Sequence, residues 1–406
     1  MSPTGNSTIS KSGSLIIAGS GIASVAQMTL ETVAHLKHAD KVFYLVNDPV
    51  TEAFIKEHNS EASDLLVFYD KAKPRYHSYV EMTEVMLREV RAGHKVLGIF
   101  YGHPGVFVHP SHRAITIARE EGYEAKMLPG VSAEDYMFAD LGFDPCVFGC
   151  MSSEATELIA HNRSLDTSVH NIIWQVGGIG VGTLEYEKSK FHLLVDRLER
   201  DFGPNHKVVH YIGAIRMTPQ ANSAMVVYTI EELRNPEIAK FIGSASSLYV
   251  PPRDIAPVHE PSATKLGLPP VLTGILAASP KWVGSRFVCE ATSGKLENDI
   301  ISKLDQHVPP AHYKALRATP AMKKFMIDLA LEPKLQEAYK ASPEKSVASV
   351  NGLTEIEKHA LLYGLDSPIS KVMSRSSPAE PTKESLEAVA LLGDAIMHIT
   401  AAGVAV

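Results

Sequence analysis

The chain has 406 residues, 45% apolar and 21% charged, with a formal net charge of −7 and no run of lysine or arginine. That length allows a sizeable core in two or three domains, and the missing basic stripe argues against nucleic acid, whose phosphates would need one. Three cysteines make no disulfide framework, and Cys146 and Cys150 lack the second pair that a zinc site needs, so a reducing, cytoplasmic setting is expected and no metal is assigned.

Residues 1–13, rich in serine, threonine and glycine, are expected to be a disordered lead with neither signal peptide nor anchor. From residue 14 to 252, short β-branched runs alternate with longer stretches of helical period, the pattern of an α/β sheet. Strands are predicted over 15–18, 41–46, 65–68, 95–100, 171–176, 208–212 and 247–250. Helices are predicted over 28–38, 79–92, 110–121 and 190–202, where apolar residues recur three and four apart. Pro251-Pro252 closes this region, and residues 253–305 read as an extended arm, rich in proline, alanine and serine in its first half. Residues 306–373 read as a small all-α module with helical segments over 321–331, 333–341 and 354–363. Residues 374–406 are a polar linker and an apolar tail ending Ile399-Thr400-Ala401-Ala402-Gly403-Val404-Ala405-Val406. Asp394 and His398 interrupt that tail, which falls short of the ~20 apolar residues of a spanning helix, so no membrane partner is expected.

Two strand-then-glycine units, 15–21 and 96–107, place a small-molecule pocket at strand ends. A nicotinamide cofactor is the lesser reading. Position 24 is serine where a dinucleotide fingerprint has its third glycine, and Asp48 is followed by Pro49, away from the usual ribose position. Taken in order, Ala18-Gly19-Ser20-Gly21, Met28-Thr29-Leu30-Glu31, Gly102-His103-Pro104-Gly105-Val106-Phe107 and Met127-Leu128-Pro129-Gly130-Val131-Ser132-Ala133 form a series. This series resembles the tetrapyrrole-methylase type of S-adenosylmethionine-dependent methyltransferase. The whole chain, arm and tail included, resembles the fungal borosin peptide α-N-methyltransferases of the omphalotin-precursor type.

The resemblance implies an α/β fold: a two-lobed methyltransferase domain over 14–252, followed by a clasp arm over 253–305, a small all-α module over 306–373 that presents the substrate, and a linker with core peptide over 374–406. It implies iterative, autocatalytic methylation of backbone amides in the chain's own tail, with S-adenosylmethionine converted to S-adenosylhomocysteine. It further implies an interlocked homodimer in which each tail enters the partner's cleft. The N-methylated product would pass to a separate protease or macrocyclase.

Such chemistry makes definite demands. An amide nitrogen is a poor nucleophile because its lone pair is delocalised into the carbonyl. A base must take the N–H proton, or donors must stabilise the imidate oxygen, and a tyrosinate with a reference pKa near ~10 is strong enough where a carboxylate is not. The segment from Tyr69 to Tyr79 offers tyrosines and a guanidinium, with Arg75 and Tyr79 four apart and hence on one face of a helix. By resemblance, Arg75, Tyr79 and Tyr101 are the catalytic set with Tyr69 close by: Tyr79 the base, Arg75 the supporting cation, Tyr101 an orienting hydrogen bonder. Also by resemblance, cofactor contacts come from Tyr101, His103, Val106, Ala133, Gln175, Gly213, Ser246 and Ser247. His103 stands where many tetrapyrrole methylases carry an acidic residue, and with His109 and His112 it lacks the neighbouring carboxylates that would make a metal set. Two alternatives stay open: a tetrapyrrole or small-metabolite methyltransferase acting in trans, and a scaffold built on an inactive methylase fold.

Overall fold

The computed structural model describes residues 12–183, 188–214, 222–268, 280–288, 294–310, 317–373 and 382–387. The chain divides into two compact units, Met1–Ala291 and Thr292–Val406. The first lobe of the first unit is a sheet of strands β1 (Ser14–Gly19), β2 (Lys41–Leu45), β3 (Ser63–Asp64), β4 (Lys95–Phe100) and β5 (Glu124–Met127). They lie in the order β3-β2-β4-β1-β5, all parallel. Both faces are covered, which is why β1 and β4 read as nearly unbroken apolar runs. Leu15, Ile17 and Phe100 pack against Met82 and Met86 of α3 (Arg75–Arg91) and Ala114 of α4 (His109–Glu120). On the other face Ala18, Val42 and Leu97 meet Leu36 of α1 (Leu30–His38) and Ile55 of α2 (Pro49–His58).

The second lobe is a mixed sheet of β6 (Cys150–Glu154), β7 (His170–Trp174), β8 (Lys207–Ile212), β9 (Ala224–Thr229) and β10 (Ser247–Val250), in the order β6-β7-β10-β8-β9. Only β6 and β7 are parallel. Alternation along β7 feeds two cores. Ile173 packs with Leu194 and Leu198 of α7 (Phe191–Phe202), whereas Ile172 and Trp174 face Tyr211, Tyr249 and α5 (Ala133–Leu141), with α6 (Ala155–Ala160) against the α7 side. The unit is completed by α8 (Pro236–Ala239), α9 (Glu260–Lys265) and a hairpin of β11 (Lys281–Val283) with β12 (Arg286–Val288).

One predicted strand is wrong. Residues 65–68 form a 3-10 turn, and only Ser63–Asp64 pairs with β2. The Asp64 side chain accepts the Leu66 N–H at 2.8 Å and winds the run up, so Leu65 is buried while Leu66 and Val67 point outward. Strands β5, β6, β9, β11 and β12 and helices α2, α5, α6, α8 and α9 were not anticipated. β5 is an edge strand of four residues that alternates Glu and Lys with apolar positions, too short for periodicity to show. Helices α2 and α5 are announced by caps instead: Asp48 before Pro49, and a Ser132–Asp135 capping box. Helix α3 starts at Arg75, not at residue 79, so Arg75 and Tyr79 do share one helix.

In the second unit, α10 (Lys295–Ile301) precedes α11 (Pro320–Leu331), α12 (Pro333–Ala341), α13 (Pro343–Ala348), α14 (Glu355–Tyr363) and α15 (Asp366–Met373). Proline at the first position of α11, α12 and α13 starts each helix where its missing N–H costs nothing. Met322, Phe325, Leu353, Leu361 and Val372 form the core. Glu357, 4% exposed, ties two helix starts together by accepting from the backbone and hydroxyls of both Thr319 and Thr354. Burial would raise that carboxyl, but these hydrogen bonds prevail and hold it below the usual range. Among the described residues no helix is long and apolar enough to cross a membrane. The linker over 374–381 and the tail over 388–406 lie outside the described residues.

Candidate active site

The glycine loops named by the sequence meet backbone to backbone. Neighbouring strands β1 and β4 send their connections in opposite directions, which opens a crevice at their carboxyl ends. There Gly102 N–H donates to the Gly21 carbonyl at 2.9 Å and Gly21 N–H donates back to Gly102 at 3.3 Å. A β-carbon on Gly19 would lie 2.2 Å from the Gly102 oxygen, and one on Gly130 would lie 3.3 Å from the Gly19 α-carbon. Three motifs scattered over more than a hundred positions thus serve one purpose, the close packing of three loops at the floor of a cleft.

That cleft has a volume of about 470 Å³ and is lined from both lobes of the first unit. Of the expected residues, Tyr69, Tyr79, Tyr101, His103 and Val106 line it from the first lobe. Ala133, Gln175, Gly213, Ser246 and Ser247 line it from the second. Arg75 is not brought to the wall: its Nη2 donates to the Thr183 carbonyl at 2.6 Å and its backbone N–H to Gly182 at 2.9 Å. Its ordering of the Gly182–Thr183 loop links two segments that the sequence keeps far apart.

Among the described residues the wall carries no Asp, Glu, Lys or Arg side chain but five tyrosines, Tyr69, Tyr79, Tyr101, Tyr136 and Tyr211. Burial is the first reason that the Tyr101 phenol is pushed above its ordinary value, with the Asp48 charge adding to it against an opposing Asn47 hydrogen bond. Burial thus favours the protonated phenol at Tyr101. Burial also raises Tyr211, whose hydroxyl donates to Asp140 at 2.7 Å. Tyr79 is half-buried, with its ring edge-on to Tyr69 at 6.4 Å and stacked on His109 at 5.8 Å.

The remaining candidates are held by identifiable partners. His103 Nδ1 accepts the Gly105 N–H at 2.9 Å, which fixes the ring across its own turn. His112 Nε2 pairs with the Gly105 carbonyl at 2.8 Å, so the three histidines do different jobs. Ser246 Oγ accepts the Gly243 N–H at 2.8 Å and pairs with His210 Nε2 at 2.7 Å. Its side chain is occupied, leaving the backbone of 244–247 to face the cleft. Asp48 caps α2 by accepting from Val50 and Thr51 and also takes the Ser24 hydroxyl. Gln175 and Phe107 both adopt left-handed backbone, with φ of 55° and 57°, a conformation that costs about 1–3 kcal/mol and clusters at functional sites.

Sequence reasoning gave no role to Asn47, Phe107, Tyr136 or Trp174, all of which line the cleft. Asn47 and Trp174 lie at or just beyond carboxyl ends of strands, which is the signal that could have found them.

An S-adenosyl sulfonium fits such a wall. Its cation can face phenol rings and oxygens, with no carboxylate among the described lining residues, and its adenine suits apolar surfaces with few polar groups. The residues that would hold it are the loop 101–106, Ala133, Gln175, Gly213 and the backbone of 244–247.

Comparison with known proteins agrees. Residues 14–233 match the tetrapyrrole (corrin/porphyrin) methylases, and residues 292–404 match the borosin biosynthesis clasp domain. The second match begins inside the 253–305 segment and runs through the helical module into the tail. A methyltransferase and type I borosin cyclic peptide precursor of Serendipita vermifera subsp. bescii is 53% identical over 94% of this chain and 95% of its own. A similarly named precursor of Mycena rosella is 52% identical over 96% of this chain and 98% of its own. Among solved structures, uroporphyrin-III-C-methyltransferase of Thermus thermophilus has a TM-score of 0.43 at 17% identity, covering 59% of this chain and 92% of that one. With the methylase lobes, the clasp match and full-length relatives in hand, the chain belongs to the borosin family of methyltransferases fused to their peptide precursors.

Proposed function

We propose that this methyltransferase uses S-adenosylmethionine to methylate backbone amides of its own C-terminal segment repeatedly, in the cytoplasm. The observation that carries this reading is the cleft wall, with five tyrosines and no Asp, Glu, Lys or Arg among its described residues, in a chain whose relatives are named as enzyme and precursor in one. S-adenosylmethionine supplies an electrophilic methyl group and leaves as S-adenosylhomocysteine. The protein must hold the acceptor amide in line with that methyl, exclude water and take away one proton.

Tyr79 is assigned, on the family resemblance, as the group that receives the amide proton, its ring held in the cleft wall between Tyr69 and His109. Tyr101 donates to the carbonyl oxygen as negative charge develops there. Arg75 sits one helical turn from Tyr79 and is proposed to favour the phenolate by its charge, while its hydrogen bond fixes the Thr183 loop. Tyr69 supports the Tyr79 ring from the side. Arm and helical module together are proposed to lock two protomers and feed each tail into the partner's cleft, raising the local concentration of substrate.

Mass spectrometry of the purified chain after incubation with the donor tests the proposal. Successive increments of about 14 Da in the terminal peptide are expected. A terminal peptide that stays unmodified while a tetrapyrrole or other small acceptor is methylated would establish the trans-acting alternative instead.

A further inference from the structure

We infer that Phe107 is a specificity-determining residue, its ring setting the largest side chain that the tail can present at the point of methyl transfer. This inference rests on the self-methylation reading above.

Phe107 lines the cleft and is 48% exposed, an unusual situation for an aromatic ring beside a ligand site. Its backbone is left-handed, which a bulky residue avoids and glycine adopts freely. The fold therefore tolerates strain to keep a phenyl ring where glycine would be easier, and such an outlier points to function. Across the cleft its ring meets Trp174 at 5.8 Å with the planes tilted by 56°. Trp174 cannot yield, because it is 6% exposed and its Nε1 donates to Ser152 Oγ at 2.7 Å. Trp174 is anchored, whereas the Phe107 ring stays about half exposed.

Space gives the pair its consequence. The cleft's 470 Å³ falls in the lower half of the ~300–1,000 Å³ that small-ligand pockets span, and it must hold the donor together with a stretch of peptide. Little room is left for a side chain beside the reacting amide. The tail's last eight residues, Ile399 to Val406, contain glycine, alanine, threonine, valine and isoleucine and nothing larger. The fixed Trp174 and the ring of Phe107 are placed to enforce that limit, and Phe107 is the one that substitution can remove without breaking a hydrogen bond.

The test uses full-length chains in which Ala401, Ala402 or Val404 is replaced in turn by tryptophan, each in the wild-type background and with Phe107→Ala or Phe107→Gly. Tail methylation is counted by mass spectrometry. In the wild-type background at least one tryptophan tail should be methylated about tenfold or more slowly than the natural tail, a size discrimination of ordinary strength. Both Phe107 variants should recover most of that loss. Phe107→Gly keeps the left-handed turn, so recovery in it is due to the missing ring and not to a rearranged loop, and its melting temperature should be no lower than that of Phe107→Ala. Equal methylation of natural and tryptophan tails by the wild-type chain, or undiminished discrimination in Phe107→Gly, would overturn the inference alone. A natural tail left unmodified by the wild-type chain would overturn self-methylation as well.

Discussion

Tyr79 is held in the cleft wall by two rings: Tyr69 meets it edge-on and His109 stacks on a face. Removing only its oxygen keeps the packing and deletes the proton acceptor. Tyr79→Phe should therefore slow tail methylation by about 10²–10⁴-fold while leaving S-adenosylmethionine affinity within about threefold, read by mass spectrometry and titration calorimetry on the same preparation. Loss of donor binding in step with activity would assign Tyr79 to the binding wall instead. At this scale the sequence placed Tyr79, Tyr101 and His103 correctly at the cleft, each beside a glycine turn or helix start that its own neighbourhood displays. It was silent where the partner is remote: the Arg75 guanidinium lies on a carbonyl 108 positions away, and no spacing rule could have supplied that contact.

Elements show the same division between local and non-local causes. The glycine motifs were legible because a missing side chain is a constraint that sequence displays directly, and the structure shows what each one accommodates. At Gly19 the obstacle to a side chain is the Gly102 carbonyl, which is backbone and cannot rotate away. Gly19→Ala should force β1 and β4 loops apart, costing on the order of 1–3 kcal/mol and weakening donor binding at least tenfold, as measured by denaturant titration and calorimetry. Unchanged stability and affinity would mean that the loops are free to separate. The 3-10 turn over 65–68 escaped prediction because its apolar residues look like a strand, and what redirects them is one side-chain hydrogen bond from Asp64. Edge strand β5 escaped because four residues with polar alternation leave no period to read.

Two properties belong to the whole molecule. The first is acid sensitivity of the first unit. His170 is buried in a stack with Phe143 and Tyr249, and desolvation lowers its pKa to about 4, with a Val147 backbone hydrogen bond opposing. The unfolded chain binds a proton at this site near pH 6.5 and the folded chain does not, so the contribution is whole above pH 6.5 and disappears as pH falls to about 4. Its ceiling is on the order of 3 kcal/mol. Burial lowers His206 and His210 as well, which adds to the trend. Urea midpoints should drop between pH 7 and 4.5, and His170→Asn should flatten the profile; an equally steep profile in that variant would place the acid response elsewhere. The second property is the delivery of the tail. If each tail enters the partner's cleft, a chain unable to catalyse must still be methylated by an active one beside it. Isotope-labelled Tyr79→Phe chains co-expressed with unlabelled wild type keep the two tails distinguishable by mass. Labelled tails should carry methyl groups in the mixed assembly, and they should do so to the same extent after dilution, because the effective concentration is set by the linker and not by the solution. Labelled tails that remain bare beside fully methylated wild-type tails would confine each tail to its own cleft and remove the interlocked arrangement from the proposal.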